Sequence, residues 1–307
     1  MIPDGSRPIC DYEDSKYQTE FWDQGNRQYE DRVERVALRH LLPKSGSRCL
    51  EIGAGAGRLT RELDVFDNIV ILDYSVTQLQ QAQLRLGRES RYTYVAADAY
   101  KLPFVTGAFD AALMVRVIHH LADAESVLSS IHNALQPSGT LILEFANKRN
   151  LKAILRYFLG VQNWNPFNYE TVEYNRLNYN FHPTTITGWL KNSGFVVDQK
   201  RSVSHFRWNI IKRAIPTDVL VALDSLLQLT GQLWQLTPSV MLTAHSSATG
   251  PTSESHLLFK CPNCNSNKLE HASNYLMCPN CGRICVIKNG IYDFKKLHKD
   301  KGVDNNG

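Results

Sequence analysis

A short apolar run in the first quarter of the chain passes into a loop with three alternating glycines, Gly53, Gly55 and Gly57. Two later apolar runs each end in an acid, Asp73 and Asp98. Glycines let the backbone approach a ligand closely, and a carboxylate at the next strand end accepts hydrogen bonds from ribose hydroxyls. This combination predicts a binding site for an adenosine-containing cofactor.

The charge beside the loop narrows the choice of cofactor. The dinucleotide fingerprint reads G-x-G-x-x-G and holds an anionic pyrophosphate at a helix N-terminus. Here the last glycine comes one residue earlier, and Glu51 stands just before the loop. A carboxylate there suits a cationic ligand such as S-adenosylmethionine, which carries a sulfonium and an α-amino group. A role for Glu51 in bracing the loop or facing a helix dipole stays open.

From about residue 46 to 146 the chain resembles the class I S-adenosylmethionine-dependent methyltransferases, in the subgroup often called type 11. Five segments carry the resemblance, in family-like order and spacing. They are L-E-I-G-A-G-A-G-R-L, L-D-Y-S, A-A-D-A-Y-K-L-P-F, F-D-A-A-L-M-V-R-V-I-H-H-L and A-L-Q-P-S-G-T-L-I-L-E. The resemblance implies a methyltransferase with a doubly wound, mostly parallel seven-stranded α/β sheet of the Rossmann-like type, in which one late strand is inserted antiparallel.

The resemblance also implies roles for individual residues. The loop glycines would surround the methionine part, Asp73 would hold the ribose hydroxyls, and Tyr74 would lie beside the adenine. Asp98 would meet the adenine amino group, and Ala99 would offer its backbone N–H. Arg116, at the end of the fourth strand, would line the methionine pocket or pair with an acid. The predicted cofactor-binding set is Glu51, Gly53, Gly55, Gly57, Asp73, Tyr74, Asp98, Ala99 and Arg116.

Two histidines are candidates for a general base. Methyl transfer is an in-line displacement that gains most from alignment, and it requires a base only when the acceptor is protonated at working pH. His119 follows the fourth strand, at the sheet edge where ligands bind in such folds. His182, just before a proline, is the second candidate. For both, hydrogen bonding at a helix start is the structural alternative.

Four cysteines near the C-terminus form two Cys-Pro-Asn-Cys pairs separated by thirteen residues. Two C-x-x-C pairs at this spacing are typical of a zinc ribbon. The segment 277–294 also resembles the small zinc-ribbon activator proteins of tRNA and ribosomal methyltransferases, although Cys285, Val286 and Tyr292 depart from their pattern. The predicted zinc ligands are Cys261, Cys264, Cys278 and Cys281.

Composition and the order of predicted strands and helices divide the chain into five parts. Strands and helices alternate to about residue 146, as in a parallel sheet covered on both faces. Helices are predicted near 58–64 and over 208–234, and an insert rich in aromatic residues and asparagine is expected to select the acceptor. The predicted parts are an N-terminal lead and helix (1–45), a methyltransferase domain (46–245, with the insert at 148–182), a linker (246–256), a zinc ribbon (257–296) and a flexible tail (297–307).

The charge distribution bears on the partner. The net charge is +4, and residues 257–307 carry all of it, with eight basic and four acidic residues. The catalytic part is neutral, which disfavours nucleic acid. We therefore predict a small-molecule, lipid-like or natural-product acceptor. The alternative is a tRNA or rRNA methyltransferase that docks RNA through the ribbon.

The start of the chain lacks the pattern of a secretory signal peptide, and its most apolar late stretch, 219–236, is interrupted by polar residues. A cytoplasmic protein without stable membrane insertion is the expectation. A homodimer through the ribbon stays open.

Overall fold

The computed structural model describes residues 7–15, 22, 27–248 and 257–299. Most of the predicted linker and tail, and parts of the N-terminal lead, lie outside these residues. Residues 297–299, predicted to begin the tail, belong to the last strand of the ribbon.

The first half of the described chain alternates strands and helices as predicted. The helix expected near 58–64 is only a 3-10 turn, Thr60–Leu63. Because the next strand begins at Phe66, too few residues follow the glycine loop to form an α-helix. The elements are α1 (Gln28–Leu41), β1 (Gly46–Ile52), β2 (Phe66–Asp73), α2 (Val76–Leu86), β3 (Tyr92–Ala96), β4 (Phe109–Met114), α3 (Ala124–Ala134) and β5 (Leu135–Ala146).

The second half contains the insert and the last strands of the catalytic sheet. The helical stretch expected over 208–234 is divided into two helices, because Ile215 precedes Pro216 and adopts an extended conformation that a helix does not tolerate. The elements are α4 (Leu151–Phe158), β6 (Val172–Asn175), β7 (Asn178–Asn180), α5 (Pro183–Asn192), β8 (Phe195–Val203), α6 (Asn209–Ala214), α7 (Thr217–Leu227) and β9 (Ser239–Ser246), with a 3-10 segment at Gln228–Gln232.

Seven strands of the catalytic part lie in the order β3-β2-β1-β4-β5-β9-β8. Strands β1 to β5 pair in parallel, and β9 runs antiparallel between β5 and β8. Alternate residues of β1 enter two different cores, Leu50 and Ile52 on one face and Cys49 on the other. Both faces are therefore covered, and the predicted doubly wound fold is confirmed.

The ribbon continues this sheet. Its strands are β10 (Glu270–His271), β11 (Tyr275–Cys278), β12 (Arg283–Lys288) and β13 (Ile291–Lys299). Strand β13 pairs in parallel with β3, which extends the sheet to eleven strands. The ring of Phe259 also packs on Phe104 of the catalytic part, with centroids 5.9 Å apart. The sequence assigned no position to the ribbon; the structure shows that it covers an otherwise exposed sheet edge.

Candidate active site

A cavity of about 150 Å³ opens where the carboxyl ends of β1 to β4 meet. The predicted cofactor residues converge on it from four strand ends, as the topology of a parallel sheet requires. Gly57 stands apart: a Cβ there would lie 2.7 Å from Leu86 Cδ1, so this glycine permits close packing against α2. The predicted residues that line the cavity are Glu51, Gly53, Gly55, Asp73, Tyr74, Asp98, Ala99 and Arg116.

The glycine loop and Asp73 form one unit. Gly53 and Gly55 have φ of +66° and +55°, a region that favours glycine. A Cβ at Gly53 would lie 2.2 Å from Val117 Cγ2, so no side chain fits there. Gly55 N and Ser75 N each donate to Asp73, at 2.8 Å. Both carboxylate oxygens of Asp73 are thus oriented at the cavity wall.

Glu51 is buried behind the loop and accepts a hydrogen bond from Thr60 Oγ1 at 2.6 Å. Burial raises its pKa to about 7, although the Thr60 hydroxyl and the charge of Arg58 act in the opposite direction. A carboxyl group in this state can lose its proton when a cation binds beside it. The geometry therefore includes both the loop-bracing contact and a potential site for a positive ligand group.

Asp98 and Tyr74 form the side of the cavity next to the ribbon. Asp98 Oδ1 accepts a hydrogen bond from Tyr100 N at 2.9 Å, which fixes the turn after β3. Lys295 of β13 places Nζ 5.0 Å from the centroid of the Tyr74 ring and 3.4 Å from Glu13 Oε2. A residue of the ribbon therefore supports the wall of the cavity.

Arg116 is held by a buried acid, Glu34, that no sequence motif indicated. Its backbone has φ of +60°, and its guanidinium Nε donates to Glu34 Oε1 at 2.8 Å. Arg58 donates to the other oxygen of Glu34 at 2.8 Å. Burial alone would raise the pKa of Glu34, but the charges of Arg116 and Arg58 outweigh it and keep the pKa below its usual value.

Trp22 covers this pair of guanidinium groups. The ring lies 3.7 Å from Arg58 Cζ and 4.9 Å from Arg116 Cζ, and it lines the cavity. Stacking of this kind fixes the arginines while excluding water. The only sequence signal for the cluster was an acid, Glu34, beside the apolar positions of α1.

His120, rather than His119, lines the cavity. Its Nδ1 lies 2.8 Å from the carbonyl oxygen of Leu177, so Nδ1 must carry the proton. Its Nε2 lies 3.3 Å from the hydroxyl of Tyr12 and is left as the basic nitrogen. Burial lowers the pKa of His120 below its ordinary value. A neutral imidazole with a fixed tautomer therefore faces the cavity.

The two predicted base candidates occupy other positions. The ring of His119 packs at 4.2 Å from that of His120, and burial lowers its pKa well below the ordinary value. His182 is buried at the start of α5, where its Nδ1 accepts a hydrogen bond from Thr184 N at 3.2 Å. Burial, followed by the charges of Arg149 and Lys148, lowers the pKa of His182 to about 4. His182 therefore sits where the structural alternative placed it, at a helix start.

The insert contacts His120, a residue of the cavity wall, through the backbone of Leu177. Strands β6 and β7 form a hairpin in which Leu177 has φ of +56°. Leu177 N donates to Glu173 Oε1 at 2.8 Å, and its carbonyl oxygen is the contact to His120. The insert thus orients the imidazole of His120.

The four predicted zinc ligands lie together. Their sulfur atoms are all within 4.8 Å of one another. The Cys261–Cys281 and Cys264–Cys278 sulfurs are 3.6 and 3.5 Å apart, too far for S–S bonds. A tetrahedron with Zn–S bonds of about 2.3 Å has sulfurs about 3.8 Å apart. The donor set therefore fits a tetrahedral thiolate site.

Residues 50–143 match the family model described as a methyltransferase domain. This segment, just under a third of the chain, is similar to methyltransferase domains. It contains the glycine loop, Asp73, Asp98 and His120, so the family match and the cavity coincide. The predicted class of enzyme, an S-adenosylmethionine-dependent methyltransferase, is confirmed at the level of this domain.

The relatives in sequence are methyltransferases of several kinds. A malonyl-[acyl-carrier protein] O-methyltransferase of Legionella pneumophila is 32% identical over 112 residues, which are 36% of this chain and 38% of that protein. A demethylmenaquinone methyltransferase of Clavibacter sepedonicus is 26% identical over 57% of this chain and 76% of that protein. A 27-O-demethylrifamycin SV methyltransferase of Amycolatopsis mediterranei is 27% identical over 40% of this chain and 48% of its own length. The chain spans less than half of the Legionella and Amycolatopsis relatives.

Solved structures share the fold at low identity. A Haloferax volcanii complex of a methyltransferase activator with a methyltransferase contains a chain that matches with a TM-score of 0.52, 16% identity and coverage of 75% of this chain and 95% of that one. An S-adenosylmethionine-dependent methyltransferase from Listeria monocytogenes matches with a TM-score of 0.51 and 14% identity. The match covers 72% of this chain and 99% of that one. These likenesses show the fold, a Rossmann-like α/β architecture that those methyltransferases share.

Proposed function

We propose that the protein transfers a methyl group from S-adenosylmethionine to a small-molecule, lipid-like or natural-product acceptor. The observation that carries the proposal is the convergence of Glu51, the glycine loop, Asp73 and Asp98 on one cavity. The names of the relatives, which refer to quinone, rifamycin and carrier-bound malonyl acceptors, support the acceptor class. The RNA alternative gains no support from these relatives.

The proposed roles of the cofactor residues follow from their chemistry. Asp73 accepts hydrogen bonds from the ribose hydroxyls, and Asp98 with Ala99 meets the adenine edge beside Tyr74. Gly53 and Gly55 allow the backbone to approach the methionine part. Glu51 and Arg116 stand at the methionine end, where they match an amino group and a carboxylate. The bound cofactor would supply an electrophilic methyl group.

We assign the general base to His120. Its Nδ1–H is committed to Leu177, so Nε2 can accept the proton that an acceptor O–H or N–H loses as its lone pair bonds to the methyl carbon. The hydroxyl of Tyr12 is hydrogen-bonded to Nε2. The acceptor must displace this hydroxyl before Nε2 can take its proton. The ring of Trp22, which stacks on Arg58 and Arg116 at the cavity wall, would exclude water there. This assignment replaces His119 with its neighbour and leaves His182 as a helix cap.

We propose that Cys261, Cys264, Cys278 and Cys281 hold one structural Zn²⁺. Bound zinc would cross-link the two turns and supply most of the folding free energy of the ribbon, on the order of 10 kcal/mol. Because β13 pairs with β3 and carries Lys295, a folded ribbon also supports the adenosine side of the cavity. The ribbon is thus proposed as a built-in support of the catalytic domain rather than an RNA-docking module.

Calorimetry with S-adenosylmethionine and S-adenosylhomocysteine tests the proposal. We expect affinity in the micromolar range for the wild type, and a loss of roughly 100-fold or more for Asp73→Ala, because a buried acceptor for two hydroxyls is removed. Asp67→Ala is the matched control, since Asp67 is an exposed acid of the same strand. Unchanged affinity in Asp73→Ala would refute the cofactor assignment.

A further inference from the structure

One outer face of the protein carries most of its exposed apolar side chains. Of the twenty-three large apolar residues exposed in the described part of the chain, five lie in 151–161 and eleven in 208–236. We call these two segments the outer helical face. Monomeric soluble proteins rarely expose contiguous apolar patches above a few hundred Å², and larger ones mark interaction sites.

Helix α7 carries apolar residues on both its inner and its outer side. Leu220, Val221 and Asp224 are buried on the inner side, and Gln228 of the following 3-10 segment is also fully buried. Asp224 accepts a hydrogen bond from Tyr29 at 2.5 Å, and Gln228 donates to the Val33 carbonyl at 3.0 Å. Leu226, by contrast, is 71% exposed. The inner side of α7 is thus occupied by contacts within the protein, whereas the apolar residues of its outer side are left for an external partner.

Helix α4 also exposes an apolar side to the outside of the protein. Leu151, Leu155 and Phe158 recur at helical spacing, so they share one face, and all three are exposed. Lys152 and Arg156 are also exposed and follow the first two of them in sequence. Such a helix, with leucine and phenylalanine on one side and cations beside them, is typical of segments that lie in a membrane interface.

The two segments form one continuous surface. Leu151 N donates to the Leu236 carbonyl at 2.8 Å, and a groove of about 600 Å³ is lined by Leu151 and Arg156 from one segment and by Trp208 and Trp234 from the other. Both tryptophans are about half exposed, at 48% and 54%. Tryptophan is enriched at the boundary between lipid headgroups and acyl chains.

The charge of this surface is one-sided. Residues 151–161 contain Lys152 and Arg156 and no acid. The second segment adds the exposed Arg213, whereas its two acids are otherwise engaged: Asp224 is buried and Asp218 pairs with Arg32 at 2.6 Å. Two copies packed face to face would therefore oppose like charges. An anionic surface is the complementary partner.

We propose that the outer helical face docks the protein on the surface of an anionic lipid bilayer. The apolar side chains would enter the headgroup boundary while the cations contact lipid phosphates. The structure describes no helix that could span a bilayer in residues 7–15, 22, 27–248 and 257–299. The proposed contact is peripheral, because its side chains enter only the headgroup boundary. The inference does not depend on the methyl-transfer assignment, since it rests on a different surface.

Sedimentation with phosphatidylcholine vesicles, with and without phosphatidylglycerol, tests the proposal. We expect stronger partitioning onto the anionic vesicles, and weaker binding as salt is raised. Leu233→Glu should reduce partitioning about tenfold, because it puts a carboxylate where an apolar side chain would enter the interface. The matched control is Leu84→Glu, at an 88% exposed leucine of α2 outside this face, which should change partitioning less than about twofold.

The variant K152E/R156E separates the charge from the apolar contribution and should reduce anionic binding at least about tenfold. Thermal melting and cofactor calorimetry verify that each variant is folded, so failure of docking and failure of the proposed function remain distinguishable. The proposal is overturned if the wild type does not bind anionic vesicles, or if Leu84→Glu weakens binding as much as Leu233→Glu. It is also overturned if a dimer that Leu233→Glu dissociates accounts for the apolar face.

Discussion

Two kinds of contact build the cavity, and they differ in how far they reach along the chain. Asp73 and Gly55, which bond to each other at the strand ends, are 18 positions apart. Tyr12 and His120 are 108 apart, and Lys295 and Glu13 are 282 apart. The first kind uses backbone groups and short acids fixed by the parallel sheet. The second uses long side chains from distant segments. The proposed cofactor contacts thus rest on local geometry, whereas the orientation of the proposed base and the support of the cavity wall rest on tertiary contacts.

Loss of zinc should give the largest effect, since it removes the ribbon as a folded unit. We expect the double variant C261S/C278S to contain no zinc and to lose on the order of 10 kcal/mol of ribbon stability. The first thermal transition should move to lower temperature, and cofactor affinity should fall several-fold as Lys295 leaves Tyr74.

Elemental analysis, thermal melting and calorimetry measure these effects. Cys10→Ser is the control for zinc content, because Cys10 lies outside the cluster. If the double variant keeps its full cofactor affinity after the ribbon has unfolded, the distant support from the ribbon plays no part in binding.

Replacement of the proposed base is the next largest effect. His120→Gln should lower turnover roughly 100-fold, about 2.7 kcal/mol, while leaving cofactor affinity nearly unchanged. Transfer of labelled methyl groups into extractable small molecules provides the assay. His119→Gln is the control, and an equal loss there would return the role to His119.

The pH dependence of turnover sharpens this assignment. Burial lowers the pKa of His120, so Nε2 stays unprotonated at and above the pKa of free histidine, about 6.5. At cofactor concentrations that saturate the enzyme at every pH, the rate should therefore be flat above that pH and fall as the pH drops through the lowered value. A fall that begins above pH 7 would contradict it.

Glu51 should make cofactor affinity depend on pH. With a pKa of about 7, the carboxyl group is mostly protonated at pH 6 and ionised at pH 8. If the cationic cofactor binds the carboxylate form, affinity should rise about tenfold over this interval. Calorimetry at both pH values measures the change, and Glu51→Gln should remove it.

The unliganded protein should show the opposite trend in stability. Because the folded-state pKa of Glu51 is raised, the native state binds more protons than the unfolded state between about pH 4.5 and 7, and this contribution to stability decreases as pH rises. Glu51→Gln should flatten that part of the melting profile. An unchanged profile would show that Glu51 is ionised in the free protein.

The smallest effect is expected at the contact between the ribbon and the cavity wall. Lys295→Ala should weaken cofactor binding two- to five-fold, about 0.5–1 kcal/mol, since it removes a cation from the face of Tyr74. Lys288→Ala, at an exposed lysine of the neighbouring strand β12, is the matched control. Equal affinities in the two variants would limit the role of the ribbon to covering β3.

The sequence by itself determined the catalytic sheet, the residues at its strand ends and the four-cysteine cluster. Each was encoded in short segments: apolar runs that end in glycine or an acid, and paired cysteines at fixed spacing. Because parallel strands bring their carboxyl ends to one edge, the sequence could predict that Asp73 and Asp98 converge without a structure. The same local logic could not distinguish His119 from His120, since a 3-10 turn after β4 decides which ring faces the cavity.

Only the tertiary structure decided which distant segments contact one another and which side chains are buried. It revealed the pairing of β13 with β3, the burial of Glu34 between two arginines, and the outward apolar side of α7. A helix pattern shows that one side is apolar, but not whether that side faces the core. Asp224 of α7 and Gln228 just after it are hydrogen-bonded to Tyr29 and to the Val33 carbonyl of α1, each 195 positions away in the sequence. Contacts between such distant segments leave no periodic signal, because each depends on how separate elements pack.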